Sequence, residues 1–324
     1  MANSKSIQFS LIIPVYQNEA GIRDLIEAIN VSIATQVRSP FEVIFVIDGS
    51  PDRSRDLLCA LLQQQKWPSQ LIALSRNFGA FSAIRTGLAF ATGDAIAVLA
   101  ADLQEPATLV PQLWDILARD EADVVCAERI ARNDGFMAGL VSGLVWWFYR
   151  KFIFPDMPKG GVSMFAFNAR VKDSILSMST TSKSMFSTVM WLGFRRKFVP
   201  YVRQARRTGR SAYTFNRKLI YALDCLVSFS DLPILIQIWM ALIVSIVSAL
   251  TGLVFLVAWW AGWLAANSNT PIALMITFAF SILLLSQGIL GLYVWRTTEN
   301  TKQRPLSIVS EHLHFTKPRR IAKR

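Results

Sequence analysis

From position 232 to position 295 the chain carries no Asp, Glu, Lys or Arg, although 34 basic and 22 acidic side chains are spread over its 324 residues. That charge-free interval of 64 positions holds two apolar blocks, 235–266 and 272–295, separated by the polar NSNTP of Asn267 to Pro271. Each block exceeds the roughly 20 residues that cross about 30 Å of hydrocarbon. The pattern predicts two membrane helices joined by a short hairpin; the competing reading is a buried helical hairpin in a soluble core. Without charge, and with few polar groups to line a pathway, this part argues against a transporter or a flippase accessory.

Lys and Arg are absent from the loop between the blocks, whereas Arg217, Lys218, Arg296, Lys302 and Arg304 flank them. The positive-inside rule then places both termini in the cytoplasm. Acids are missing from Ser174 to Leu223, where ten Lys or Arg occur, and the tail after Trp295 holds eight basic residues against two acidic ones. A net charge of +12 gathered beside apolar blocks suits the anionic lipid of a membrane face, with a phosphate-bearing substrate as a second reason, better than it suits nucleic acid.

Cysteine and histidine are scarce. Cys59, Cys126 and Cys225 are isolated and odd in number, which excludes a disulfide framework or a zinc-finger spacing and reads as buried thiols in a reducing compartment. The two histidines, His312 and His314, read as solvated residues of a basic tail rather than a metal clip. A secretory leader is not expected, because MANSKS runs straight into a strand-like segment.

What is present in the first 230 residues is an alternation of strand and helix signals. FSLIIPV from Phe9 reads as a buried strand ended by Pro14, followed by the helical spacing Ile22, Leu25, Ile26, Ile29. FEVIFVI from Phe41 is a second strand, closed by the turn DGSPD; a helix over 55–65, the strand LIALS from Leu71, a helix over 80–91 and a strand DAIAVLAA from Asp94 follow. Short apolar strands alternating with helices predict a parallel α/β sheet covered on both faces, with ligands beyond the carboxyl ends of its strands. Pro14, Asp48, Ser75 and Asp102 fall at such ends.

Asp48 and Asp52 flank a turn where carboxylates can accept from a sugar hydroxyl or a base N–H; an ordinary turn explains them equally well. Asp102 and Gln104, two apart in an extended segment, would point to one side and offer oxygens to a hard divalent ion. Glu105 and Pro106 equally make a helix start.

Taken together the motifs are more specific. IPVYQNE from Ile13, VIDGSPD from Val46, LSRNFG from Leu74, AADLQEP from Ala100, PKGGVSMFAF from Pro158, YVRQARRTGRSAY from Tyr201 and FSDLP from Phe229 occur in that order. Nearly the whole chain resembles the family-2 glycosyltransferases that load sugars onto polyprenyl phosphates, such as dolichyl-phosphate-mannose synthases and bacterial undecaprenyl-phosphate sugar transferases. The resemblance implies a GT-A (Rossmann-like) α/β domain over 1–213 and an amphipathic interfacial helix over 214–231. It further implies two transmembrane helices with a short periplasmic hairpin over 232–296, and a basic cytoplasmic tail over 297–324, in a bacterial inner membrane.

By position it implies Pro14, Tyr16, Glu19, Asp48 and Arg76 at the nucleotide sugar, and Asp102 with Gln104 at a divalent metal, Mg²⁺ or Mn²⁺. Arg129 and Arg132 match an R-x-x-R, and Arg203, Arg206 and Ser211 a basic segment for diphosphate or lipid phosphate; guanidinium forks suit phosphate oxygens. Membrane-surface attraction explains part of the same charge. Arg129 and Ser163 are grouped with Asp102 as catalytic positions.

Two departures stand out. Ala100 replaces the first carboxylate of a D-x-D, and Ser163 stands where the family commonly has Asp. The expected activity is inverting transfer from a nucleotide sugar, a UDP-sugar by preference, to undecaprenyl phosphate. The alternative is a degenerate relative that binds nucleotide sugar or lipid and scaffolds a partner. The expected partners are thus the donor, the polyprenyl phosphate acceptor, the membrane and further copies of the chain.

Overall fold

The computed structural model describes residues 7–131, 150–151, 158, 162–178, 184–204, 232–261, 270–302 and 304–315. Arg132, Arg206, Ser211, Cys225, the helix expected over 214–231 and most of the loop between the apolar blocks lie outside these residues. The chain forms two compact units, Met1–Tyr221 with Arg304–Arg324, and Ala222–Gln303.

The first unit is built on one eight-stranded sheet in the order β7-β5-β6-β4-β1-β2-β3-β8. Its strands are β1 (Phe9–Val15), β2 (Phe41–Ile47), β3 (Ser69–Leu74), β4 (Ala95–Val98), β5 (Val124–Ala131), β6 (Val162–Asn168), β7 (Arg196–Val202) and β8 (Val309–Phe315). β1, β2, β3 and β4 run parallel, as do β5 and β7, but β6 is antiparallel to both β4 and β5, and β8 is antiparallel to β3. The sheet is therefore mixed and not wholly parallel.

The expectation of two covered faces holds in the residue pattern. Alternate β1 residues go to opposite sides: Leu11, Ile13 and Val15 join Ile22, Leu25 and Ile29 of α1 (Ile22–Ile29), Leu58 of α2 (Ser54–Leu62) and Trp114 of α4 (Leu109–Ala118). Ile12 faces the other way, with Phe81 and Leu88 of α3 (Ala80–Phe90), Val171 of α5 (Ala169–Ser177) and Val189 of α6 (Met185–Trp191). Phe9 stacks on Trp114 at 4.9 Å between ring centroids. Cys126 is buried in the second cluster, where desolvation pushes its thiol up to about 12, so it is an inert packing residue.

The chain runs outward from β1 through β2 to β3, then returns to the other side of β1 for β4. Strand order thus reverses beside β1, and the loops after β1, β2 and β4 open at that switch point. Pro14 does not end β1, which continues to Val15. In a parallel strand a residue's N–H and C=O point the same way; Ile12 accepts from Leu99 at 3.0 Å, so Pro14, two residues on, faces the same side after β4 has stopped at Val98. No ladder bond is lost there.

The expected free tail is not one. β8 pairs along β3 from Ser69 to Leu74, so the last strand of the sheet lies beyond the apolar blocks in sequence. Both histidines are strand residues: His314 is exposed, as expected, but His312 is half-buried, its Nε2 2.8 Å from Gln70 Oε1 and its ring edge-on to Phe90 at 4.6 Å. The charge run hid a strand because its ladder partner is more than 230 residues away.

The second unit consists, among the described residues, of α7 (Leu232–Trp260) and α8 (Thr270–Thr301). Gln237 Nε2 on α7 donates to Ser286 Oγ on α8, which ties the two helices together. Large apolar side chains such as Ile243, Leu253, Phe278 and Leu284 point outward along both. Phe278–Trp295 is long and apolar enough to cross a membrane, and none of it is buried.

Candidate active site

Three loops meet at the switch point, and their own side chains hold them in place. After β1, Gln17 takes a left-handed φ of 49° and its N–H donates to Ser50 Oγ at 2.8 Å. Asn18 N–H reaches Ser54 Oγ at 3.3 Å, and Glu19 N–H reaches Asp52 Oδ2 at 3.0 Å. Glu19 answers by accepting from Arg53 N–H at 3.1 Å. Burial works to raise the Asp52 pKa, but the hydroxyls of Ser50 and Ser54 and the N–H groups of Glu19 and Ser54 outweigh it and hold the carboxyl below its ordinary value. Asp52 is thus an anionic brace between the first two loops. Tyr16 is exposed at the rim of the first.

Asp48 is committed differently from the sequence expectation. Only 3 % exposed, it accepts from Phe78 N–H at 2.7 Å and from Gly79 N–H at 2.9 Å. Desolvation raises its pKa against those two bonds. Both oxygens hold the loop before α3, so the group braces that loop from behind. Arg76, in that loop, is exposed and lies over the Phe78 ring at 4.6 Å.

The third loop corrects two local expectations. β4 stops at Val98, so Asp102 sits in a turn beyond the strand. Leu103 has a left-handed φ of 52°, and Gln104 N–H bends back to Asp102 Oδ1 at 3.3 Å. Residues 102–104 form a side-chain-closed turn, not an extended segment, so Asp102 and Gln104 do not share one side by strand alternation. Nor does Glu105-Pro106 start the helix: α4 begins at Leu109, after a turn in which Leu109 N–H donates to Pro106 O at 3.0 Å. Glu105, 4 % exposed, instead accepts from Tyr201 Oη at 3.4 Å.

The segment leaving β7 lies against the same turn. Gln204 N–H donates to Gln104 O at 3.0 Å, and Arg203 Nη2 donates to Gln104 Oε1. Arg203 is therefore brought to the Asp102 turn, where it occupies the amide oxygen expected to face a metal. Arg129 on β5 is in register with Tyr201 on β7; its Nε is buried with no hydrogen-bond partner among the described residues. Ser163 lies on β6, one residue after its start.

No group of three or more His, Cys, Asp or Glu side chains that could hold a metal occurs among the described residues. Asp102, half-buried in the third loop, is the carboxylate at hand. One carboxylate fits an ion such as Mg²⁺, which keeps most of its ligands as water and substrate phosphate oxygens, and does not fit an all-protein cage. Sequence inspection missed Asn18, whose Nδ2 donates to the Ala101 carbonyl at 2.9 Å, and the bracing role of Asp52. The only available signal was the polarity of the YQNE and SPD turns.

Comparison with known proteins finds relatives over almost the whole chain. An uncharacterised glycosyltransferase of Bacillus subtilis is 28% identical over 317 residues, covering 95% of each chain. The undecaprenyl-phosphate 4-deoxy-4-formamido-L-arabinose transferase of Pectobacterium carotovorum is 28% identical over 314 residues, 95% of this chain and 94% of that one. A prophage bactoprenol glucosyl transferase homologue of Escherichia coli is 29% identical over 307 residues, 94% of this chain and 98% of that one. The model for glycosyl transferase family 2 matches residues 10–197, a span that starts in β1, contains all three loops of the switch point and ends in β7. With more than half of its length matched, the chain belongs to glycosyl transferase family 2.

Proposed function

We propose that this enzyme transfers one sugar from a nucleotide sugar, a UDP-sugar, to undecaprenyl phosphate at the cytoplasmic face of a bacterial inner membrane, inverting the anomeric centre. The observation that carries the reading is the bracing of three strand-end loops around the half-buried Asp102 at the switch point, with Arg203 laid against the same turn. The relatives named for undecaprenyl-phosphate and bactoprenol transfer support the acceptor class. The apolar outer surfaces of α7 and α8 support a membrane location.

The acceptor is a phosphate monoester with a second pKa near 6, so its oxygen is largely anionic at neutral pH. That oxygen attacks the anomeric carbon from the face opposite the diphosphate. A C–O bond to the acceptor forms as the C–O bond to the diphosphate breaks, and the nucleoside diphosphate leaves with the electron pair. No proton has to be removed, so Ser163 in place of an acid does not stop the reaction. Asp102 would hold a bound Mg²⁺ or Mn²⁺, which supplies charge neutralisation at the departing diphosphate. Arg203, with Arg206 and Arg132, adds guanidinium donors to phosphate oxygens, and the end of β1 at Pro14 with the loop through Tyr16 and Glu19 holds the nucleoside.

The test is transfer in detergent with undecaprenyl phosphate, Mg²⁺ or Mn²⁺ and a panel of radiolabelled nucleotide sugars, read as counts in the organic phase. One donor should give counts that chelator abolishes, and Asp102→Asn should lower kcat by at least about 10²-fold. Silence across the panel with nucleotide binding intact would overturn transfer and favour the scaffold reading that Ala100 and Ser163 motivate.

A further inference from the structure

The geometry points to Asn18 as a positioning residue that sets the Asp102 carboxylate in place by holding the carbonyl of Ala101. The turn from Ala100 to Gln104 is tied on one side by Gln204 N–H, 3.0 Å from Gln104 O. Its internal bonds, Leu103 N–H to Ala100 O at 3.4 Å and Gln104 N–H to Asp102 Oδ1 at 3.3 Å, are long. Leu103 at its centre sits in the left-handed region, where a branched side chain is strained and persists only when the surroundings hold it. The Asn18 Nδ2 bond to Ala101 O, at 2.9 Å, is the shortest hydrogen bond that reaches this turn from the first loop, 83 residues away in sequence.

Asn18 is itself fixed on three sides. Its N–H donates to Ser54 Oγ at 3.3 Å, its carbonyl accepts from Gly21 N–H at 3.0 Å, and its side-chain amide packs against Gly21. A Cβ at Gly21 would lie 2.7 Å from Asn18 Oδ1, closer than real contacts come, and 3.0 Å from Nδ2, so the amide would have to shift. The glycine leaves room for that amide in that place. The consequence is a mechanical link: the loop that receives the nucleoside and the turn that carries Asp102 are joined through one amide, so an occupied first loop and a correctly placed carboxylate go together.

This inference rests on the reading of Asp102 as the ion-holding carboxylate, and the experiment separates the two. The probe is Mn²⁺ in the presence of UDP, with the full-length protein in detergent, followed by loss of the free-ion EPR signal well below each variant's unfolding midpoint. Asn18→Asp keeps the size and loses the donor; Gly21→Ala keeps the donor and displaces it. Each should weaken Mn²⁺ binding about tenfold, the usual scale for groups that orient a metal ligand, and raise by the same factor the Mn²⁺ needed for half-maximal transfer. The KM for the lipid acceptor should not move. Should Asn18→Asp fail to fold, Gly21→Ala carries the same expectation. Wild-type Mn²⁺ affinity in a folded Asn18→Asp protein, with binding lost in Asp102→Asn, would overturn the role of Asn18 alone. Wild-type affinity in Asp102→Asn would overturn the reading beneath it.

Discussion

Gly49 shows how tightly the loops at the switch point are built. It has a φ of 58°, and a Cβ there would stand 2.2 Å from the Arg76 carbonyl carbon and 2.4 Å from Asn77 N. Those atoms are backbone and cannot swing aside, so Gly49→Ala meets both left-handed strain and a clash, and should cost more than about 2 kcal/mol. Gly79 separates the two effects: φ 95° and ψ 156° lie where almost only glycine goes, but nothing lies within 4 Å of its missing Cβ, so Gly79→Ala should cost strain alone, about 1–3 kcal/mol, and less than Gly49→Ala, where strain and a backbone clash add. Urea unfolding midpoints of the two variants check the ordering. The motifs that locate this site were legible in the sequence because turn residues cluster where strands stop. The destinations of their side chains were not. Asp48 is spent on Phe78 and Gly79, and Gln104 on Arg203, and both partners come from loops whose approach is decided by the sheet as a whole.

At the scale of elements, β8 closes the sheet edge through side chains as well as its ladder. Arg55 forks onto Glu311 with two bonds of 2.7 Å, a half-exposed pair worth at most about 1 kcal/mol. His312 joins a buried polar chain: Gln70 Nε2 donates to Glu42 Oε2 at 2.8 Å, so Gln70 Oε1 is left to accept, and His312 Nε2 must carry the proton it donates. Desolvation, and then the neighbouring His314 at 4.2 Å between ring centroids, lower the His312 pKa. Because the folded value is depressed, the stability this residue contributes is present above its unfolded pKa of about 6.5 and is lost as pH falls from there through the folded value. Hydrogen-exchange protection factors of the β8 amides should therefore fall below about pH 6.5, and His312→Gln should remove that step. An unchanged profile in the variant would assign the acid sensitivity to another group. The strands beside the first two loops were readable from continuous apolar runs, FSLIIPV and FEVIFVI, since burial on both faces leaves no alternation. β8 was not, because VSEHLHF mixes charge and apolar residues, and its strand character depends on a partner that local pattern cannot reveal.

At the scale of the whole molecule, sequence order and spatial order part company. The chain leaves the first unit near Tyr221, builds α7 and α8, and re-enters the first unit at Arg304 to supply a strand of its sheet. Were α7 and α8 to cross a bilayer, two passes would return the chain to the side it left, as the pairing of β8 with β3 requires. A single pass would strand Val309–Phe315 on the wrong side of the membrane from β3. The distribution of charge agrees, with Lys and Arg on both flanks of the apolar blocks and none in the NSNTP loop. This gives a topology test that does not depend on catalysis. In a cysteine-free background, with Cys59, Cys126 and Cys225 replaced by Ser or Ala, a membrane-impermeant maleimide added to intact spheroplasts should label Asn267→Cys and leave Ser310→Cys unlabelled until the membrane is opened. Labelling of both residues from outside would contradict the double pass. Labelling of neither, with both reached after detergent, would place the helices on one side of the membrane and return the apolar hairpin to a buried or interfacial role.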